Sequence, residues 1–107
     1  MSYIALAANR PRPFFPVEER FGICQQIRRA AVSVPANIAE ACGRSAGRDQ
    51  ARFLDVACGS VSELEALFEL SQDLGYVESG LFEDVTRQCR SIARELAAAR
   101  AALRRMP

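Results

Sequence analysis

The stretch RRAAVSVPANIAE, residues 28–40, decides how this chain folds. Its apolar residues recur every three or four positions, the spacing of one buried helix face, yet Pro35 stands in the middle. Proline inside a helix lacks one backbone donor and crowds the carbonyl four residues earlier, at a cost of roughly 3 kcal/mol. Because Val34 and Ile38 continue the stripe in phase, we predict one helix that bends at Pro35 and continues. The alternative is a break into two helices, since proline often ends a helix.

The apolar stripe extends on both sides of this stretch and predicts a first long helix over residues 16–43. Pro16 suits the first turn of a helix, where its missing donor is not needed. Gly43 follows the last stripe residue, as glycine commonly does where a helix ends. The stripe consists of Ile23, Ile27, Ala30, Ala31, Val34, Ile38 and Ala41.

Two further long helices follow, and no segment shows the alternation typical of a strand. The second is predicted over residues 47–74, with Ser45 as its N-cap and Gly75 as its stop. The third is predicted to start with Ser79 as its cap and to end in RRMP, residues 104–107. Their apolar stripes comprise Phe53, Leu54, Ala57, Val61, Leu64, Leu67, Phe68, Ser71 and Leu74, then Leu81, Phe82, Val85, Cys89, Ile92, Leu96, Ala99 and Leu103. The fold class is therefore predicted as all-α, an antiparallel up-down helical bundle.

The length of 107 residues predicts a single domain. Residues 1–15 are predicted as an N-terminal arm or a short first helix, because prolines 11 and 13 would interrupt any longer one. Residues 16–107 form the predicted bundle. A domain this small buries a limited core and gains stability from oligomerisation.

Histidine is absent from the chain, and all 14 basic residues are arginine. Histidine is the commonest general base and the commonest metal ligand. We therefore predict no catalytic residues, no metal and no cofactor, and we expect that the protein is not an enzyme.

The four cysteines include no CxxC pair, which argues against a zinc site or a thioredoxin-like motif. The first residues do not form a secretory signal, and no apolar run approaches the ~20 residues that span a bilayer. We predict a cytoplasmic protein with reduced, mostly buried thiols and no membrane partner. Cys89 lies on a core stripe and is predicted to be an inert buried thiol.

Charge is sorted by segment, although the net charge of the whole chain is only +1. Residues 1–52 hold eight arginines against four carboxylates, a net +4. Residues 53–84 hold eight carboxylates and no arginine, a net −8, and residues 85–107 hold six arginines against one glutamate, a net +5. Such segregation predicts separate basic and acidic faces.

Three markers of the sequence resemble one known family: RRAAVSVPANIAE, the GR that follows it, and FLDVACGSVSELEALFELSQDLGY at residues 53–76. The family consists of the four-helix-bundle proteins encoded in intervening sequences of bacterial 23S rRNA genes. The resemblance implies an antiparallel four-helix bundle that assembles into a ring-like homopentamer. Relatives include accessory proteins of diversity-generating retroelements, which bind nucleic acid and a reverse transcriptase. The family pattern has a full first helix before FP-x-E-E, whereas here 13 residues precede Phe14.

Arginines off the apolar stripes are candidates for a phosphate-contacting surface, because guanidinium groups offer planar, bidentate donors. The segment GRSAGRDQAR, residues 43–52, is the richest, with three arginines against one carboxylate. Arg44, Arg48 and Arg52 fall on one line, at i, i+4 and i+8, if the second helix begins early, and Arg87, Arg90 and Arg94 form a second line. The alternative is that these arginines pair with carboxylates of residues 55–84. The predicted nucleic-acid-binding residues are Arg28, Arg29, Arg44, Arg48 and Arg52.

A second set of polar residues lies beside the apolar stripes of the first two helices. We predict a buried network that sets helix register, as single polar residues do in coiled coils. A carboxylate metal site is the rejected alternative, because bundle sites of that kind use histidine. Either Arg28 or Arg29 is expected to pair with a carboxylate of this set. Its members are Ser33, Asn37, Glu40, Ser60 and Glu63.

The sequence thus predicts a non-enzymatic, oligomeric binding or scaffold protein. Its predicted partners are further copies of itself, in a pentamer by the resemblance, and RNA or DNA bound through arginine-rich surfaces. The alternative is a protein–protein interaction subunit without a nucleic-acid role, whose acidic face of residues 53–84 engages a basic protein.

Overall fold

The computed structural model describes residues 22–105 together with Pro16 and Glu18. It contains three α-helices in these residues: α1, Ile23–Cys42; α2, Gly47–Asp73; and α3, Ser79–Arg104. No strand occurs in this part of the chain, so the all-α prediction is confirmed there. The predicted arm or short first helix, residues 1–15, lies outside the described residues.

Helix α1 runs without interruption through Pro35. The prediction of one continuous helix is confirmed, and the alternative of two helices is wrong. The side-chain amide of Asn37 donates to the carbonyl of Ser33 at 2.8 Å. This bond adds a side-chain donor to the turn in which proline lacks its backbone donor.

The start of α1 differs from the prediction, because the helix begins at Ile23 and not at Pro16. Pro16 lies outside any helix, and Glu18 belongs to a 3₁₀ turn. Gly22, directly before α1, has φ −105° and ψ −111°. These angles lie outside the helical range, so α1 does not extend back through Gly22. The end was predicted correctly, since Gly43 follows Cys42 and donates to the carbonyl of Ala39 at 3.1 Å.

The bounds of α2 and α3 lie within one or two residues of the prediction, but both predicted caps are wrong. Ala46 precedes α2 and Glu78 precedes α3, and neither side chain caps its helix. A side-chain cap comes from the residue directly before the first helical turn. Ser45 lies one position too early for that role, and Ser79 is already the first helical residue.

Gly75 ends α2 as predicted. Its φ of +79° lies in the left-handed region that glycine adopts without steric cost. The Tyr76 N–H donates to the carbonyl of Ser71 at 2.8 Å, and the Gly75 N–H donates to Gln72 at 2.9 Å. This pair of bonds is the Schellman motif, which turns the chain towards α3.

Helix α2 lies between the other two helices and packs against both. Asp55 near the start of α2 pairs with Arg100 near the end of α3, so these neighbours are antiparallel, as predicted. The resulting body is elongated, 49 × 23 × 18 Å. Most predicted stripe residues are buried or half-buried in its core. Leu74 and Ala99 are exceptions and lie exposed, Leu74 because it follows the last residue of α2.

The cysteines are all free and differ in burial. Cys24 and Cys89 are buried, Cys58 is half-buried, and Cys42 is exposed, contrary to the expectation of mostly buried thiols. Burial raises the pKa of the Cys89 thiol to about 11, with the charge of Glu65 as a smaller cause in the same direction. Cys89 is therefore a neutral, poorly nucleophilic thiol near pH 7, as predicted.

Among residues 22–105, no helix combines the length and the apolar character needed to cross a bilayer.

Candidate nucleic-acid interface

The five predicted nucleic-acid-binding arginines lie on two separate surfaces. Arg28 and Arg29 lie in the first half of α1, whereas Arg44 lies in the loop after it. Arg48 and Arg52 lie in the first turns of α2. The helix between Arg29 and Arg44 rises by about 20 Å at 1.5 Å per residue, so the structure does not bring all five together.

Arg44 also does not continue the line of Arg48 and Arg52. That line required α2 to begin before Arg44, but α2 begins at Gly47. Arg44 instead contacts a carboxylate of α1: its Nη2 lies 3.0 Å from Oε2 of Glu40. Glu40, a predicted member of the polar network, is therefore paired with Arg44.

Two arginines share Asp49 and Phe53 as partners. The Nη2 of Arg52 lies 3.0 Å from one oxygen of Asp49, and the Nε of Arg44 lies 3.8 Å from the other. The guanidinium carbons of Arg44 and Arg52 lie 4.8 and 4.5 Å from the centroid of the Phe53 ring. These distances are within the range of cation–π attraction. The ring and the carboxylate thus hold both guanidinium groups at the start of α2.

A cleft of about 810 Å³ is lined by the loop before α2, the first turns of α2 and the last turn of α3. Its charged lining consists of Arg48, Arg52 and Arg104 on the cationic side, and Asp55 on the anionic side. We call it the arginine cleft. Within residues 22–105, no ion pair is formed by Arg48.

Asp55, in the arginine cleft, is contacted by two arginines of α3. The Nη1 of Arg100 lies 2.9 Å from its Oδ1, and the Nη2 of Arg104 lies 3.7 Å from the same oxygen. The Arg100 side chain is 29% exposed and the Arg104 side chain 62% exposed. Arg100 is therefore the principal counter-charge of Asp55, and Arg104 mostly faces solvent.

Sequence reasoning missed Arg100 and Arg104, although both are part of the same end of the bundle. They lie 45 and 49 residues after Asp55, so only the antiparallel pairing of α2 with α3 brings them near it. A signal was present, because the two arginines are four residues apart and thus share one face of α3.

Cationic side chains outnumber carboxylates at this end of the described bundle. Six arginines against three carboxylates give a formal charge of +3. Surface ion pairs of this kind contribute about 0–1 kcal/mol each, so most of these guanidinium groups stay available to a stronger anion. We call this group the basic end: Arg44, Arg48, Arg52, Arg100, Arg104 and Arg105, with Glu40, Asp49 and Asp55.

The second predicted line of arginines, on α3, does not form one surface. Arg87 and Arg94 line a groove of about 580 Å³, of which Arg90 is not part. Arg87 is paired with Asp84 at 3.1 Å. The side-chain oxygen of Gln88 is buried here and has no hydrogen-bond partner in the described part of the chain.

Three of the five predicted polar-network residues are joined by hydrogen bonds between α1 and α2. The Ser60 hydroxyl donates to the Ser33 hydroxyl at 2.7 Å, and the Asn37 side-chain amide donates to the same hydroxyl at 3.0 Å. Glu63 lines an adjoining cavity of about 190 Å³ with Arg29. No ion pair within 4.0 Å joins Arg29 and Glu63 among residues 22–105.

Large apolar side chains are exposed on α1, on α2 and just after α2. Val32 is 66% exposed, Val56 48%, Leu70 45% and Leu74 49%. Val56 and Leu70 are 14 residues apart and so share one face of α2. Gly59 is exposed on the same face, and a Cβ there would meet no atom within 4 Å. This face of α2 is therefore partly open at Val56 and Leu70 and has free space at Gly59.

The basic end offers chemistry for binding anions, chiefly phosphates, which arginine engages through two parallel donors. It offers no metal site, since no three Cys, Asp or Glu side chains converge as ligands within the described residues.

Comparison with known protein families identifies a match. The family model of the 23S rRNA-intervening sequence protein matches residues 4–98. The match spans α1, α2 and most of α3, and it also includes most of the residues predicted as an arm or short first helix. No curated protein matches the chain.

Proposed function

The chain belongs to the 23S rRNA-intervening sequence protein family, and we propose that it is a non-enzymatic scaffold that assembles with copies of itself and binds RNA or DNA. The observation that carries the nucleic-acid role is the basic end, where six arginines meet three carboxylates. Phosphate contacts by arginine release counterions and supply most of the non-specific affinity for nucleic acid.

Binding at this end would be directed at the phosphate backbone. Phe53 lies beside the basic end, in contact with Arg44 and Arg52, and so does not offer a free ring for base stacking. Contacts to phosphates position a protein on nucleic acid but carry little sequence information. We therefore expect weak sequence preference.

Self-assembly is the second part of the proposal, in the form of a four-helix bundle within a ring-like homopentamer, as the resemblance implies. Its support is the set of exposed apolar side chains on α1 and α2, above all Val32, Val56 and Leu70. A second copy packed on these faces would remove them from water. Size-exclusion chromatography with light scattering tests this part, and V56E with L70E is expected to yield smaller species. A wild-type monomer would contradict it.

The nucleic-acid role is tested by fluorescence anisotropy with labelled single- and double-stranded RNA and DNA at about 50 and 200 mM salt. The variant is the triple alanine substitution of Arg44, Arg48 and Arg52. The matched control replaces Arg87, Arg90 and Arg94, three arginines of α3, and so changes the net charge equally. We expect steep salt dependence, and loss of binding in the first variant only. No binding at low salt by correctly folded protein would overturn this role.

The acidic segment, residues 53–84, favours a second candidate function, which is the docking of a basic protein. Four carboxylates, Glu69, Asp73, Glu78 and Glu83, are exposed and form no ion pair within residues 22–105. They lie in the second half of α2, the following loop and the first two turns of α3, away from the basic end. Charge reversal here would weaken protein docking and leave nucleic-acid binding intact.

A further inference from the structure

We infer that the arginine cleft is a phosphate-binding site that holds one phosphate of a nucleic-acid strand between Arg48 of α2 and Arg104 of α3. This inference rests on the proposed function and assigns its central contact. It also gives Arg100 and Asp55 opposite influences on affinity.

The cleft has the size and the charge for such a ligand. Its volume of about 810 Å³ falls within the range of roughly 300–1,000 Å³ that small-molecule sites occupy. Its lining includes three arginines but only one carboxylate. Because it opens between two helices, side chains from opposite walls can contact one phosphate.

Arg48 is the cation of the cleft that has no counter-charge in the described part of the chain. It differs in this from Arg52, which is held by Asp49 at 3.0 Å and lies over Phe53. A phosphate at Arg48 would gain a charge-assisted, bidentate contact without the loss of an existing ion pair. We therefore assign Arg48 as the first contact.

Arg104 is the second contact because it is only loosely held. Its Nη2 is 3.7 Å from Asp55, beyond hydrogen-bond distance, and its side chain is 62% exposed. Arg100 already contacts the same carboxylate oxygen at 2.9 Å. Arg104 can therefore turn to a phosphate while Asp55 keeps a counter-charge.

Asp55 and Arg100 then act on the site without contact to the ligand. The Asp55 carboxylate repels a phosphate in the cleft, so its neutralisation should raise affinity. Arg100 does not line the cleft, yet it offsets Asp55. Its removal would leave Asp55 to draw Arg104 back, and affinity should fall.

The test is fluorescence anisotropy of the full chain with a labelled single-stranded RNA at several salt concentrations. We expect R48A and R104A each to lower the slope of log affinity against log salt by about 1, as the loss of one phosphate contact does. D55N should bind about two- to fivefold more tightly, and R100A about two- to fivefold more weakly. Circular dichroism checks that each variant is folded.

The matched controls R87A and R94A remove the same charge on α3 outside the cleft. Slopes that fall equally in R48A and in these controls would overturn the site, since the effect would then be one of general charge. A D55N variant that binds RNA more weakly than wild type would also overturn the site. Such a result would show that the Asp55 carboxylate does not repel the bound phosphate.

Failure of the site and failure of the proposed function are distinguishable. If R48A and R104A bind like wild type while the triple variant of Arg44, Arg48 and Arg52 loses binding, the cleft is wrong and the proposed function stands. If wild type binds no RNA or DNA at low salt, both are wrong.

Titration calorimetry with sodium pyrophosphate distinguishes the source of the phosphate. Binding of pyrophosphate that is stronger than binding of RNA would overturn the assignment to a nucleic-acid strand.

Discussion

The hydroxyl of Ser60 on α2 lies 2.7 Å from the hydroxyl of Ser33 on α1 and donates a hydrogen bond to it. The same Ser33 oxygen also accepts from the Asn37 side chain at 3.0 Å. Ser60 is only 8% exposed, so this bond lies in the seam between the two helices. Polar contacts in such a seam favour one helix register over others, because any shift leaves buried groups unpaired.

Replacement of Ser33 should cost more stability than replacement of Ser60. S60A removes one donor and should lower the free energy of unfolding by about 1 kcal/mol. S33A removes the acceptor of both of these hydrogen bonds and should cost about 1–2 kcal/mol, because Asn37 still donates to the Ser33 carbonyl at 2.8 Å and Ser60 keeps the Val56 carbonyl at 3.1 Å as an acceptor. Because the residues are in contact, the double variant should lose less than the sum. Urea unfolding followed by circular dichroism measures these free energies. S62A, on the exposed face of α2, is the control. Equal losses of stability in S33A and S62A would contradict a role for Ser33 in the seam.

Replacement of Pro35 by alanine should stabilise the protein. Proline in a helix interior costs roughly 3 kcal/mol, which the substitution recovers. Alanine also raises the conformational entropy of the unfolded chain, and this offsets up to about 1 kcal/mol of that gain. The expected net gain in the free energy of unfolding is about 2 kcal/mol. The same urea experiment measures it, with A39G in the next turn as a control that should lose about 1 kcal/mol. A loss of stability in P35A would show that packing on α2 requires the proline.

Replacement of Gly75 by alanine should destabilise the turn after α2. Its φ of +79° costs an L-residue about 1–2 kcal/mol. Gly80 is the matched control, because it has no positive φ and a Cβ there would meet no atom within 4 Å. We expect a lower thermal midpoint in G75A, and no loss or a small gain in G80A. Equal midpoints in the two variants would refute a steric requirement at Gly75.

Alkaline pH should weaken the fold through Cys89. Because burial raises the pKa of this thiol from 9.0 to about 11, the native state keeps the proton longer than the unfolded chain does. Its contribution to stability is therefore complete below pH 9 and is lost as the pH rises towards 11. The free energy of unfolding, measured across this interval, should fall less steeply in C89A than in wild type. C42S, at an exposed thiol, should retain the wild-type slope.

The path of α1 was predictable because the apolar stripe keeps its phase across Pro35, and burial of a continuous face outweighs the local cost of the proline. The helix starts were less predictable, since a cap depends on a single position. Ser45 and Ser79 each stand one residue away from it.

The basic end was predictable only in its local half. Glu40 and Arg44 are only four residues apart, so local spacing near the end of α1 already indicates their pairing. The pairing of Asp55 with Arg100 depends on how α3 returns along α2, which no local pattern contains. The positive charge that pairs with Asp55, in the acidic segment of residues 53–84, therefore comes from α3, its neighbour in space.

The middle position of α2 has a consequence for how the chain folds. Since α1 and α3 both pack on α2 and each is its neighbour in sequence, most contacts form between segments close along the chain. Domains with such local contacts fold in microseconds to milliseconds. Either outer helix can also detach while the remaining hairpin persists, as local opening of cooperative units allows. In native-state hydrogen exchange, the amides of α2 should therefore be the last to exchange.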